Sequence, residues 1–237
     1  MCTLVLLLRP GELLAVSGNR NELLSRPASG PRVEHGLLAP RDELAHGTWL
    51  GLNRHGLFAC VTNRRGAMVD PSRKSRGLLA IEALQANTAR GLRQAMAELR
   101  ADRHNGFHLA YADLSDSFVT WSDGAVVQHA ALEPGRVQVI TERSFGAGEG
   151  AREGEISKAF EGLAPDVRAW RAPMTAHAKE PLESACVHAE AIGYGTRSSF
   201  QMVLRPGGRG EALWTEGHPC TEPARDISSL IAELGIV

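Results

Sequence analysis

The residue with the clearest capacity for chemistry is Cys2, which directly follows Met1. Aminopeptidases remove an initiator methionine that precedes a small residue, so we expect the mature chain to begin at Cys2. One residue would then carry both a thiol and a free α-amine, and the amine could accept the thiol proton because the two groups titrate in neighbouring ranges. This pairing of nucleophile and base is typical of enzymes that attack a carbonyl carbon with their first residue.

Arginine and asparagine side chains stand near the ends of predicted strands. Arg20 and Asn21 follow the first predicted hairpin, Asn63 ends an apolar run, and Arg197 lies in the string Gly-Thr-Arg-Ser-Ser. Asn63 either forms a turn at the end of its strand or donates its amide to an oxyanion. Arg197 is either a sheet-surface arginine or a group that orients Cys2 or an anionic part of a substrate.

Arg20 needs a partner, because a charge among short apolar strands is costly to bury alone. The acidic residues Glu22, Asp42 and Glu43 are available for a structural ion pair. Alternatively, Arg20 lies beside Cys2 and stabilises its thiolate form by adjacent positive charge. The sequence leaves both interpretations open.

The cysteines and histidines show no spacing that is typical of a metal site. Cys2, Cys60, Cys186 and Cys220 form no C-x-x-C pair, and the nine histidines include no H-E-x-x-H string. We therefore predict no metal ion, an inert core position for Cys60 and no role for Cys186 or Cys220. A reducing compartment such as the cytoplasm is the expected setting.

Composition restricts the classes of partner. The chain has 237 residues and a net charge of −1, from 26 Lys+Arg and 27 Asp+Glu. Because the charges alternate in sign, no basic block favours a nucleic acid or an anionic membrane. The apolar run at residues 4–8 is too short for a signal peptide or a membrane span and is typical of a buried strand. The length suits one large core, so we expect a single domain over residues 1–237.

Apolar patterning predicts strands, then helices, then strands again, which favours an α+β fold with sheets and helices in separate layers. Residues 18–41 are rich in proline and glycine and are predicted to be irregular, and residues 143–180 to be mostly loop with one short helix near 154–163. The predicted helices are 78–86, 89–103, 181–191 and 224–234. The predicted strands are 3–8, 13–17, 48–53, 57–63, 107–112, 117–121, 125–130, 136–141, 198–204 and 211–215.

Several short strings share the order and spacing of one family. They are Gly18-Asn19-Arg20-Asn21-Glu22 with Arg26-Pro27, Arg41-Asp42, Gly47-Thr48-Trp49-Leu50-Gly51, Gly56-Leu57-Phe58-Ala59, Val61-Thr62-Asn63, Ser75-Arg76-Gly77 and Gly195-Thr196-Arg197-Ser198-Ser199. Together they resemble the NRDE-domain family, also called the transport-and-Golgi-organisation family. The resemblance is dense over residues 2–80, thin over 80–190, and returns near 193–216. It implies the four-layer αββα sandwich of the N-terminal nucleophile hydrolases.

That fold is similar in layout to the choloylglycine hydrolases and penicillin V acylases, which cut C–N amide bonds. The resemblance implies that Cys2 is the nucleophile and that Arg20 and Asn21 stand where those enzymes have an arginine and an aspartate on the second strand. It also implies that Asn63 is an oxyanion or strand-end asparagine and that Arg197 is the distant arginine of the site. All five roles are carried over from the family's pattern.

The chain departs from that pattern in three places, one of which is His46 in His46-Gly47-Thr48-Trp49, where the family has a first glycine. Asn21 stands where the family has aspartate, and a neutral amide can orient an α-amine but cannot stabilise its protonated form as a carboxylate would. A second oxyanion asparagine has no clear counterpart, since Thr141 and Glu142 fall about where it is sought. An oxyanion donor is worth about 3–4 kcal/mol of barrier, so this absence weakens the case for hydrolysis.

Three hypotheses follow from the sequence. The first is a cysteine hydrolase, without a cofactor, that acts on a small non-peptide amide. The second is a non-catalytic protein on the same fold that binds or carries haem or an acyl lipid, with one or two histidines as haem ligands. The third is a purely structural or interaction protein, against which the Arg, Asn and Cys residues at strand ends argue.

Overall fold

Two antiparallel sheets of seven strands each form the inner layers of the molecule. The computed structural model describes residues 2–67, 69–148 and 150–236. The first sheet contains β1 (Cys2–Arg9), β2 (Leu13–Leu23), β10 (Gln138–Ile140), β11 (His188–Ala189), β12 (Tyr194–Arg205), β13 (Arg209–Glu216) and β14 (Arg225–Asp226). The second sheet contains β3 (Ala28–Glu34), β4 (Leu37–Asp42), β5 (Leu50–Asn53), β6 (Phe58–Asn63), β7 (Phe107–Ala112), β8 (Ser117–Ser122) and β9 (Val127–Ala131).

The strand order places the chain's first strands at the centre of the first sheet. Its order is β10-β1-β2-β12-β13-β14, with β11 paired to β12, and the second sheet runs in sequence order from β3 to β9. All these pairs are antiparallel. The start of β1 is therefore flanked by ordered strands, which prevents it from fraying.

Helices cover the outer face of each sheet. On the second sheet lie α1 (Arg76–Ala83) and α2 (Ala89–Met96), and on the first sheet lie α3 (Ala151–Phe160) and α4 (Val167–Arg171). A last helix, α5 (Ser228–Leu234), packs on the core between the sheets. The layers thus run helix, sheet, sheet, helix, which confirms the predicted αββα sandwich. No helix of the described residues is long and apolar enough to cross a membrane.

The apolar run of β1 is continuous because this strand is buried on both faces. Leu4, Leu6 and Leu8 belong to the core between the sheets, whereas Val5 and Leu7 pack under α3 and α4. Side chains alternate across a strand, so a strand between two apolar layers must be apolar at every position. The same register directs Cys2 to the face of the even-numbered leucines.

Three predicted segments were wrong. Residues 28–42 form the hairpin β3–β4 instead of irregular chain, because the irregularity at Gly30-Pro31 is absorbed by a register shift on an edge strand. Residues 151–171 contain two helices instead of one. Residues 181–191 are not an α-helix: a short 3-10 turn (Pro181–Glu183) leads to an extended stretch in which Cys186 and Val187 are fully buried. Tertiary burial outweighs local propensity there.

Candidate functional site

An open cavity of about 580 Å³ lies where the ends of β1, β2 and β6 meet the loops after β4 and β6. We call it the strand-end cavity. Four of the five predicted site residues line it, namely Cys2, Arg20, Asn21 and Asn63. Residues that stand up to 61 positions apart are thus brought together by the packing of the two sheets.

The β1–β2 pairing sets Cys2 beside Arg20. The two residues are direct cross-strand partners, so their side chains leave the same face of the sheet. Asn21 is one position further along β2, and its side chain leaves the opposite face. There its Oδ1 accepts a hydrogen bond of 2.7 Å from Thr196 Oγ1, on the neighbouring strand β12.

The guanidinium of Arg20 is buried, with 5% of the residue exposed, and is held on two sides. Nη2 donates to Asp42 Oδ2 at 3.0 Å, and Cζ lies 4.3 Å from the ring centroid of Trp49. Nη1 is buried and has no hydrogen-bond partner in the described structure. Because a buried N–H without an acceptor is costly, Arg20 keeps an unmet hydrogen-bonding capacity at the wall of the cavity.

Asp42 fixes the cationic wall of the cavity. Its carboxylate accepts from Arg20, from Arg26 Nε at 2.6 Å and from the backbone N–H of Ala45 at 2.9 Å. Burial by itself would raise the pKa of Asp42, but the hydrogen bonds from Arg26 and Ala45, with the charges of Arg26 and Arg20, lower it overall. Asp42 therefore stays ionised at neutral pH and orients both arginines.

A close backbone approach joins the loop after β4 to the start of α1. A Cβ on Gly47 would lie 2.4 Å from the carbonyl carbon of Gly77, so only glycine fits. Thr48 N donates to Gly77 O at 3.1 Å. The contact brings Arg76 to the strand-end cavity, where burial lowers the pKa of its guanidinium and a negative charge on Cys2 acts in the opposite direction.

The strand-end cavity is cationic on balance. Acidic side chains contribute Glu22, Asp42 and Asp70, against a larger cationic set of Arg20, Arg26, Arg73, Lys74 and Arg76. Asn63 stands at its rim and also lines a neighbouring cavity of about 820 Å³, which we call the second cavity. The second cavity has apolar walls at Leu182, Ala191 and Ile192. A bound molecule can therefore extend past Asn63 from a charged to a less polar region.

The region where a second oxyanion asparagine was sought holds a buried ion pair. Glu142 is 4% exposed and accepts from Arg152 Nη1 at 3.3 Å, and Arg152 Nη2 donates to Thr3 Oγ1 at 2.7 Å. An ionised carboxylate cannot donate a hydrogen bond to an oxyanion. The pair instead connects α3 to Thr3, the second residue of β1, next to Cys2.

Arg197 takes a structural position. Its Nη1 donates to the backbone oxygens of Leu23, Leu24 and Arg26, and Arg197 is not among the described residues that line the strand-end cavity. It thus orders the turn after β2 from which Arg26 reaches Asp42. Its predicted role in orienting Cys2 or a substrate stays a prediction, and the geometry supplies only an indirect route.

Sequence reasoning missed three neighbours of Cys2. Trp49 lies under Arg20, Arg152 pairs with Glu142, and the hydroxyl of Tyr194 donates to Asn21 O at 2.7 Å. Burial raises the pKa of Tyr194, and negative charges at Cys2, Glu22 and Glu142 raise it further. Trp49 and Tyr194 adjoin the family strings, so those strings were the available signal; Arg152 lies in a stretch without motifs.

Comparisons with known proteins identify the family and the fold of the chain. The family model "Transport and Golgi organisation 2" matches residues 1–162. The human Transport and Golgi organization protein 2 homolog is 32% identical over 107 residues, which is 45% of this chain and 35% of the human protein. The chain thus matches about a third of the length of that relative.

Solved structures of low sequence identity share the fold. A Caenorhabditis elegans N-acylethanolamine-hydrolyzing acid amidase ortholog superposes with a TM-score of 0.56 at 12% identity, over 87% of this chain and 93% of that one. Penicillin V acylase from Agrobacterium tumefaciens superposes with a TM-score of 0.53 at 14% identity, over 98% and 88%. The chain therefore belongs to the Transport and Golgi organisation 2 family, also called the NRDE family, and has the fold of the N-terminal nucleophile hydrolases.

Proposed function

We propose that this protein hydrolyses the C–N bond of a small, non-peptide amide, with Cys2 as nucleophile. The observation that supports this most strongly is the meeting of Cys2, Arg20 and Asn63 at one open cavity. A thiol used only for packing would not need a cross-strand arginine with an unsatisfied buried N–H. Two structural neighbours are an acid amidase and an acylase, enzymes named for their action on amides or acyl groups.

In the proposed reaction, removal of Met1 frees the α-amine of Cys2, which takes the thiol proton as Sγ attacks the carbonyl carbon. The oxyanion that forms accepts hydrogen bonds from the Asn63 side chain and from a backbone N–H. Collapse breaks the C–N bond, and the amine returns its proton to the leaving nitrogen. Water then hydrolyses the Cys2 thioester and regenerates the thiol, with the released acid as second product.

The cavity favours an amide that carries an anionic group. Its cationic side chains outnumber its acidic ones, and Arg20 Nη1 has no acceptor among the described residues. We propose that the anionic end of the substrate meets Arg20. The less polar end would extend past Asn63 toward Leu182 and Ile192.

The proposal is tested by a panel of N-acyl amides that vary in acyl length and carry, or lack, a carboxylate on the amine side. Wild-type protein should release the free acid, and peptide mapping of quenched reactions should show an acyl group on Cys2. Intact-mass analysis should show a chain without Met1. A fully retained Met1, or turnover that persists in Cys2→Ala, would exclude this mechanism.

A second candidate function, the binding of haem or an acyl lipid without catalysis, is favoured by Glu142 and Asn21. A buried carboxylate stands where an oxyanion donor was sought, and Asn21 replaces the family's aspartate. Under this alternative, haem should give a saturable Soret shift, or an acyl lipid should raise the melting temperature, and either effect should survive in Cys2→Ala. Turnover of any amide by the wild type but not by Cys2→Ala decides for the hydrolase.

A further inference from the structure

Four side chains of metal-ligating type converge at a place where none of them takes part in the bond-breaking steps of the proposed hydrolysis. They are His177, Cys186, His188 and Cys220, and one ligand atom from each lies within 4.8 Å of all the others. We call them the Cys–His cluster. They come from three separate segments of the fold, namely the stretch after α4, strand β11 and the loop after β13. Chance proximity does not explain why four such side chains from distant segments point at one centre.

The separations resemble those around a tetrahedral zinc ion. With Zn–S bonds of about 2.3 Å and Zn–N bonds of about 2.05 Å, tetrahedral geometry places two sulfurs about 3.8 Å apart and sulfur and nitrogen about 3.6 Å apart. Cys186 Sγ lies 3.5 Å from Cys220 Sγ and 3.7 Å from His188 Nε2. His188 Nε2 lies 3.1 Å from Cys220 Sγ. At these three atoms, shifts of about half an ångström or less would give the separations of a zinc site, and the ring nitrogen of His177 lies within 4.8 Å of each of them.

The ring of His188 is oriented as in known metal sites. Its Nδ1 lies 2.9 Å from Glu190 Oε1, which leaves Nε2 directed at the two sulfurs. A carboxylate on the far nitrogen of a ligating histidine fixes the tautomer and makes the ligand more basic. The ring of His218 stacks on His188 with centroids 3.9 Å apart and holds it from the side.

The backbone around the cluster is also fixed. Cys186 N donates to Ala176 O at 3.0 Å, which holds Cys186 next to the residue that precedes His177. Gly195 pairs with His188, and a Cβ on Gly195 would lie 2.9 Å from His218 Cε1. The absence of a side chain at this position lets the loop after β13 close on β11. Cys220 reaches the cluster through this close approach.

We propose that His177, Cys186, His188 and Cys220 bind one zinc ion as a closed structural site. Four protein ligands leave no position for a substrate, and two thiolates balance the charge of the ion. The ion would cross-link the stretch after α4 and the loop after β13 to the segment that contains β11. Because His188 and Glu190 also line the second cavity, the site would stiffen one of its walls.

The proposal is tested on protein that carries no polyhistidine tag and is purified without chelator. Elemental analysis should find about one zinc per chain. Replacement by cobalt should give thiolate-to-cobalt charge transfer and the visible bands of a tetrahedral ion. Cys220→Ala and His188→Gln should lose most of the metal, whereas Cys2→Ser and His55→Gln, which remove a thiol and an imidazole elsewhere, should keep it.

If a variant of the Cys–His cluster folds poorly, the melting temperature of the wild type with and without metal still tests the proposal. A chelator should lower the melting temperature of the wild type by about 5–10 °C, the effect expected on removing a ligand that is present at about 100 times its dissociation constant. Added zinc should reverse this shift in the wild type and leave Cys220→Ala unchanged. Two results would overturn the proposal. The first is wild-type protein that binds neither zinc nor cobalt under reducing conditions. The second is wild-type protein in which Cys186 and Cys220 are joined as a disulfide and which takes up no metal after reduction.

Discussion

The protein gathers thiols in two places, and their surroundings differ in kind. Cys2 is a single, partly exposed thiol at the end of a strand, beside guanidinium groups and an open cavity of about 580 Å³. Cys186 and Cys220 lie 3.5 Å apart and are surrounded by imidazole rings. Fixed cations beside a single thiol are suited to holding an anionic group of a substrate next to that thiol. Two thiols and two imidazoles that share a centre favour a bound cation instead.

The two regions are also held in place by different forces. Around Cys2 the support comes from buried ion pairs, Arg20 with Asp42 and Arg152 with Glu142. Around the Cys–His cluster the described residues offer a hydrogen-bonded His188 and stacked rings, on segments with little regular structure. We therefore expect the first region to respond to charge substitutions and pH, and the second to metal and chelator.

The largest expected effect is a separation of function between the two thiol regions. Cys2→Ala should lower amide hydrolysis by at least about 10⁴-fold, since it removes the nucleophile, and should leave zinc content and melting temperature nearly unchanged. Cys220→Ala should do the reverse, with loss of zinc and continued acylation of Cys2. Hydrolysis rates, metal analysis and melting curves of both variants test this separation. A single substitution that abolishes both amide hydrolysis and zinc binding would mean that the two regions act as one unit.

The next effect concerns the ion pair beneath Cys2. Arg152→Met leaves the buried Glu142 with Arg143, 3.5 Å away, as its remaining cationic partner, and should lower the free energy of unfolding by about 3 kcal/mol. Arg152→Met combined with Glu142→Gln should recover part of that loss, because no unpaired charge remains. Urea unfolding measures the free energy of unfolding of the single and the double variant. Arg90→Met, which breaks an exposed pair with Asp116, is the matched control and should change the free energy of unfolding little. Equal losses at Arg90 and Arg152 would contradict the importance of burial.

Asn63 should affect the rate more than binding. Asn63→Ala removes the proposed side-chain donor to the oxyanion and should lower kcat by about 10²–10³-fold with a small change in KM. Asn105→Ala, which changes an asparagine of the same cavity that bonds to the backbone of Asp70, is the control. A reduction confined to KM would instead assign Asn63 to substrate binding in the ground state.

The smallest effect is a pH dependence of stability at the cationic wall. The pKa of Asp42 is lowered in the folded protein, so its stabilising contribution is present above the pKa of the unfolded chain and is lost as pH falls through the folded value. Between about pH 5 and pH 3, Asp42→Asn should lose less stability than the wild type, by on the order of 1 kcal/mol. The free energy of unfolding of both proteins is measured as a function of pH. If the two curves are parallel, Asp42 is not the group whose titration changes the stability.

Local patterns predicted those parts of the fold in which neighbours in sequence share one environment. The hairpin at the start of the chain and the strands 57–63 and 107–112 follow from runs of apolar residues. Prolines and glycines in residues 18–41 misled the prediction, because a register shift at the sheet edge accommodates them. The stretch at 181–191 was misassigned because its burial comes from distant segments, which no local pattern records.

The sequence by itself determined the family and the layered fold and selected Cys2 as the candidate nucleophile, since these depend on strings whose residues stand close together in the chain. Only the tertiary structure decided that Arg20 pairs with Asp42 under Trp49, that Arg197 donates to backbone oxygens of the turn after β2, and that Glu142 is buried against Arg152. It alone brought His177, Cys186, His188 and Cys220 together. The physical reason is that side-chain chemistry depends on neighbours in space, and the closing of two sheets and their loops brings together residues as far apart in the chain as Asn21 and Thr196, which are separated by 175 positions.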